Sequence, residues 1–205
     1  MIGARRLGPA LSAVAALALL TGATAARPAL AAGRGEIRGG VTSPSSADRR
    51  ETIVYVKRIA GRYAPKTAVL DQRGMRFVPH VLLITRGDTV RFLNHDDVPH
   101  NVFSLDHERY NLGTFTRGQT RSRVFSESLG VYTQYCSIHP GMTAYIFVGQ
   151  NPYAARVDAR GRYVIRGVPP GRYTLEVWNP HLAAPARPIT VTNGGVAHAD
   201  FALHG

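Results

Sequence analysis

The 205-residue sequence predicts an all-β protein of sandwich or barrel type. Short β-branched and aromatic runs recur along it. Gly, Pro, Asn and Asp separate these runs at regular intervals. No long stretch repeats apolar residues at helical spacing.

Taken in order, the first element is an export signal. Arg5 and Arg6 precede an apolar run, Ala10 to Leu20, broken only by Ser12. Small residues follow, and Ala29-Leu30-Ala31 forms a cleavage site before Ala32, with an earlier cut after Ala23-Thr24-Ala25 as the variant. Residues 1–31 therefore read as a signal peptide, which implies a periplasmic or secreted protein with no membrane insertion after its removal. The apolar run falls short of the ~20 residues of a bilayer span. A retained anchor from Leu7 to Ala26 is the alternative reading.

Residues 32–63 contain two strand candidates, Ile37-Arg38-Gly39-Gly40-Val41 and Thr52–Lys57, around a loop at Thr42–Arg50 with Pro44. In residues 64–150 the expected strands are His80–Thr85, Thr89–Leu93, Asn101–Leu105, Arg121–Phe125, Gly130–Tyr135 and Thr143–Val148. Asn151-Pro152 marks a boundary. Residues 151–205 then carry Tyr163–Arg166, Tyr173–Trp178, Ile189–Thr192 and Val196–Ala202, with turns at Asp158-Ala159-Arg160-Gly161 and Gly167–Gly171.

Charge narrows the range of partners. The full chain has a net charge of +12. Removing residues 1–31, which hold Arg5, Arg6 and Arg27 and no acid, leaves about +9. Such a surface favours acidic partners. The arginines are scattered along the sequence, and no basic helix or aromatic-basic array is present, which argues against nucleic-acid binding.

An exported protein usually carries its cysteines in pairs. This chain has one, Cys136, in the run Cys136-Ser137-Ile138-His139-Pro140-Gly141-Met142, and a second histidine lies upstream in Pro99-His100-Asn101-Val102. One thiolate, two imidazoles and one thioether form the ligand set of a mononuclear blue-copper centre. The Cys-x2-His-x2-Met spacing lets one loop supply three of them. Pro140 and Gly141 suit its turn. The alternatives are half of a zinc site, which would prefer further cysteines, and Met142 as ordinary core filler.

Here the sequence resembles the cupredoxin family, in particular its amicyanin- and plastocyanin-like members. The resemblance is carried by Met75-Arg76-Phe77 with Pro79, Gly87-Asp88-Thr89-Val90, Asn94, Pro99-His100-Asn101-Val102, Phe125, Gly130-Val131-Tyr132 and Tyr135-Cys136, and His139-Pro140-Gly141-Met142. It implies a Greek-key β-sandwich over residues 64–150. It also implies one type 1 copper ion, with His100, Cys136 and His139 as equatorial ligands and Met142 as the axial one. Asn101 would support the Cys136 loop from behind. Electron exit would run through His139, with Val98, Pro99, Pro140 and Met142 as the apolar docking patch. Residues 151–205 resemble a small carboxypeptidase-regulatory or transthyretin-like sandwich lacking its first two strands. Ile37–Val41 and Ile53–Val56 would supply them if the copper domain is inserted between the two parts.

These features predict a one-electron carrier between a redox donor and a redox acceptor, with no catalysis. A copper-delivery protein and a non-catalytic binding module are the alternatives. No His-x-His pair or second copper domain is present to build an enzyme. The remaining histidines show no ligand spacing, although His80 and His107 are candidates for peripheral sites. Trp178 is expected in the core of the C-terminal sandwich.

Overall fold

The computed structural model describes residues 33–205, together with Met1 and Gly3; the signal-peptide segment lies outside the described residues. The N-terminal part holds β1 (Gly35–Thr42), α1 (Ser46–Arg50) and β2 (Ile53–Val56). Then come β3 (Thr67–Gln72), β4 (Phe77–Val78), β5 (Val81–Thr85), β6 (Thr89–Asn94) and β7 (His100–Ser104). They are followed by β8 (Tyr110–Phe115), β9 (Thr120–Val124), β10 (Gly130–Tyr135) and β11 (Thr143–Gly149). The C-terminal part is β12 (Ala154–Arg156), β13 (Arg162–Val168), β14 (Gly171–Trp178), β15 (Arg187–Val191), β16 (Val196–His198) and β17 (Phe201–Ala202).

One sandwich packs the sheet β4-β3-β6-β9 against the sheet β5-β11-β10-β7-β8. Period-two alternation drives it: in β6, Val90, Phe92 and Asn94 are buried while Arg91 faces solvent. Its core contains Leu70, Phe92, Val102, Phe115, Phe125, Tyr132 and Ile146, together with Cys136 and Met142. The loop from Cys136 to Met142 is thus anchored at both ends in the core of its own sandwich.

The other sandwich joins the two ends of the described chain. β1 pairs antiparallel with β13 and parallel with β16 and β17, and β2 lies between β12 and β14. Its core runs through Ile37, Val54, Tyr163, Ile165, Leu175 and Phe201. Thus Ile53–Val56 pairs with strands that follow residue 150. The two sandwiches meet at a small cluster of Ile53, Val81 and Phe147. Trp178 packs there, 5.5 Å from the Tyr145 ring and 6.0 Å from Phe147, so it joins the two sandwiches instead of filling the C-terminal core.

Several local expectations change. Ser46–Arg50, expected as loop, is a short helix started by a capping box: Ser45 Oγ accepts from Asp48 N–H, and the Asp48 carboxylate accepts from Ser45 N–H. Val196–Ala202 breaks into β16 and β17, because the next donor of β1, Gly40 N–H, goes to the Asp200 carboxylate instead of a backbone carbonyl. β3, β8 and the short β4 and β12 lie outside the expected strands. In β3 the inward series Ala68, Leu70, Gln72 ends on a buried glutamine. In β8 Gly113, at a φ of 73°, interrupts the pattern.

Candidate metal centre

Cys136 follows directly on β10, whose last residue, Tyr135, pairs with Thr143 of β11 and Phe103 of β7. This clamp fixes where the loop of residues 136–142 leaves and re-enters the sheet. Within the loop, Cys136 N–H donates to Met142 O at 3.3 Å and Met142 N–H donates to His139 O at 3.2 Å. Gly141 takes a φ of 91°, the left-handed conformation the tight return needs. Three of the sequence-predicted donors therefore come from one short, internally bonded turn.

His100 opens β7 opposite Phe115 and is fully buried. Its Nδ1 lies 4.0 Å from Cys136 Sγ and 3.0 Å from His139 Nδ1, and His139 Nδ1 lies 3.9 Å from the same sulfur. Metal–nitrogen bonds of about 2.0 Å and a metal–sulfur bond of about 2.3 Å would set trigonal donors about 3.5 Å apart (N to N) and about 3.7 Å apart (N to S). The observed triangle fits one ion, with the two nitrogens slightly closer. Among the described residues, His100, Cys136 and His139 are the one group of three or more His, Cys, Asp and Glu able to share an ion. Met142 is 4% exposed and packs in the same core cluster as Cys136.

Asn101 supports the loop in two ways. Its backbone N–H donates to Cys136 Sγ at 3.4 Å, a contact that favours negative charge on sulfur. Its side chain accepts from Ser137 Oγ at 3.1 Å and donates to Asn111 Oδ1 at 2.8 Å. The loop is thereby tied to β7 and β8.

The sequence reading missed Asp96. Its carboxylate accepts from His100 Nε2 at 2.8 Å, Met75 N–H at 2.8 Å and Gly74 N–H at 2.6 Å. With the proton on Nε2, the His100 Nδ1 lone pair faces Cys136, the arrangement that outer carboxylates impose on metal-binding histidines. Burial pushes the Asp96 carboxyl up, but the hydrogen bonds from Met75, His100 and Gly74 together hold it below the usual carboxylate range. Asn94 shapes the turn that presents it, donating to Val98 O and Phe115 O and accepting from Asp96 N–H. The available signal was the Asp-x3-His spacing before His100.

The other histidines stand apart from this cluster. His80 pairs with Glu51 and His95 with Asp71, each at 2.7 Å, and His107 packs at a tilt against Tyr132, with ring centroids 4.8 Å apart. The expected docking patch also changes. Met142 is buried and cannot belong to it, whereas Ile138 is 41% exposed and Val98 39%.

Comparison with known proteins agrees with this geometry. The family model for copper binding proteins of the plastocyanin/azurin family matches residues 64–149, and the carboxypeptidase regulatory-like domain model matches residues 140–204. The chain is 33% identical to plastocyanin A'/A'' of Nicotiana tabacum over 86 residues, covering 35% of this chain and 83% of the relative. It is 27% identical to the amicyanin of Paracoccus versutus over 153 residues, or 72% and 99%. A solved purple cupredoxin from Nitrosopumilus maritimus is 30% identical, covering 40% of this chain and 99% of that one, with a TM-score of 0.38. A clustered Cys-His-His donor set on a two-sheet sandwich, and 33% identity to the tobacco plastocyanin over 83% of its length, lead to one assignment: the chain belongs to the plastocyanin/azurin family of copper-binding proteins and carries a carboxypeptidase regulatory-like domain at its C-terminal end.

Proposed function

We propose that this protein is an exported one-electron carrier holding one type 1 copper ion. His100, Cys136, His139 and Met142 would hold it. Residues 64–150 form the carrier domain, and residues 32–63 and 151–205 complete the second sandwich around it. The observation that carries this reading is the triangle of one sulfur and two Nδ1 atoms on a buried, hydrogen-bonded scaffold. When bound there, copper supplies a single-electron couple, soft sulfur suiting its reduced form and imidazole both forms.

The chain's own residues prepare that couple. Asp96 keeps the His100 proton on Nε2. The Asn101 N–H stabilises charge on Cys136 Sγ. Burial of His100, Cys136 and Met142 keeps water out and limits rearrangement between oxidation states. It also favours retention of the ion over hand-over, which separates a carrier from a delivery protein.

His139 is the partly exposed donor; Ile138 and Pro140 flank it, Val98 and Pro99 precede His100, and these four exposed apolar residues are candidates for docking a donor and an acceptor. Interfaces of this kind are small and transient. The net positive charge steers acidic partners, so association slows as salt rises.

The test is the visible and paramagnetic-resonance spectrum of the copper-loaded protein. The expected result is an intense thiolate-to-copper band, lost in Cys136→Ser, with one copper per chain. A colourless protein, or two coppers per chain, would overturn the reading.

A further inference from the structure

Folding gathers arginines that are far apart in the sequence on the outer face of the second sandwich. In the β1–β13 pair, Glu36 stands opposite Arg166, Arg38 opposite Val164 and Gly40 opposite Arg162. These residues alternate with buried Ile37, Tyr163 and Ile165, so Arg38, Arg162 and Arg166 leave the sheet on its solvent side. Arg156 of β12 reaches the same depression. With Asp158 these side chains line a cavity of about 580 Å³, inside the range of small-ligand sites.

The cavity's charge is only partly neutralised. Glu36 pairs with Arg38 and, at 3.3 Å, with Arg166; Asp158 pairs with Arg162 at 3.3 Å. Arg156 donates to Arg50 O at 3.3 Å and has no carboxylate partner among the described residues. Four guanidinium groups thus face two carboxylates. The arginine side chains of these pairs are 52–72% exposed, and such pairs contribute about 0–1 kcal/mol each. The guanidiniums are therefore free to exchange an internal carboxylate for a better oxyanion. A planar fork binds phosphate in a bidentate manner, and several forks around one depression suit a ligand with more than one negative charge.

We propose that this cleft binds a compact polyanion bearing phosphate groups, held by Arg38, Arg156, Arg162 and Arg166. None of the strands that carry these arginines supplies a donor to the metal centre, so the site stands or falls independently of the copper chemistry. The phosphate groups come either from a free compound or from the headgroups of an anionic lipid.

The test titrates inorganic pyrophosphate into the full chain at low salt, followed by calorimetry. A parallel arm measures co-sedimentation with phosphatidylglycerol vesicles against phosphatidylcholine vesicles. The expected result is saturable binding in at least one arm, weakened about tenfold or more in Arg38→Gln/Arg166→Gln. Arg156→Lys, which keeps the charge and removes the fork, should weaken it as well, with circular dichroism unchanged in both variants. Binding of pyrophosphate alone identifies a free ligand. Vesicle retention that pyrophosphate reverses identifies a headgroup. Absence of saturable binding in both arms, or binding that the folded variants leave unchanged, would overturn the proposal.

Discussion

Replacing Asp96 by Asn tests how the metal donors are oriented. In the native site Oδ1 accepts from Gly74 N–H at 2.6 Å, while Oδ2 accepts from Met75 N–H and His100 Nε2, both at 2.8 Å. An amide has one acceptor oxygen and one donor NH2. If the NH2 takes the Oδ1 position, it confronts the Gly74 N–H. If it takes the Oδ2 position, it confronts the Met75 N–H and donates to His100 Nε2. The imidazole proton then moves to Nδ1, where it points at the metal position. Either orientation loses at least one charge-assisted bond at a carboxylate only 13% exposed. That loss costs the apo-protein about 1.5–3 kcal/mol. Copper affinity falls about 10- to 100-fold, the range seen when an outer partner of a metal-binding histidine is removed. Competitive copper titration, with denaturant unfolding of the apo-protein alongside, measures both. An affinity within about twofold of the parent in a folded variant would refute the role given to Asp96.

Three further outcomes are expected. Asn101→Ala removes the contacts to Ser137 and Asn111 but keeps the N–H···S bond; it should destabilise the protein by about 1–2 kcal/mol and shift the copper band only slightly, so an unchanged unfolding midpoint would contradict it. Trp178→Ala deletes the aromatic contacts to Tyr145 and Phe147 between the sandwiches. It should cost about 2–3 kcal/mol, less than a fully buried tryptophan because Trp178 is partly exposed; denaturant melts with no loss would show that the sandwiches do not depend on each other. Stability should also fall at both pH extremes. Burial pushes Glu176 up, but Lys57 and Tyr55 hold it below the usual carboxylate range, and Asp96 is held down likewise. Their stabilisation is complete above the unfolded values near about pH 4 and is lost as pH drops through the lower folded values. Burial first, then Glu108, pushes Tyr132 up to about 12, and burial also raises Tyr55, Tyr110 and Tyr163. Unfolded tyrosines ionise near pH ~10, so above that value the unfolded chain sheds protons the folded one retains, and stability declines. Unfolding midpoints that stay flat on the alkaline side would refute this.

The sequence alone was enough for features whose causes lie close together along the chain. The Cys136–Met142 loop is seven consecutive residues, and Pro140 and Gly141 describe its tight, internally bonded turn without reference to any other strand. The same holds for strands with clean period-two alternation, such as β6, where buried Val90 and Phe92 flank exposed Arg91. β3 and β8 were harder to see because buried Gln72 and left-handed Gly113 disturb that pattern, and their pairing partners supply what local preference does not.

Other features required the chain to be folded back on itself. Asp96 reads as one more acid in a polar turn until Asn94 bends that turn and carries its carboxylate to His100 and the 74–75 backbone. Trp178 looks like a core residue until β2 and β11 place Ile53 and Phe147 against it. The arginines are dispersed in sequence and become a cluster only when β1 pairs with β13 and puts Arg38 between Arg162 and Arg166. The physical reason is range. Ligand spacing and strand alternation are set by neighbouring residues, whereas proton placement, burial between sandwiches and charge density depend on which distant segments the sheets bring into contact.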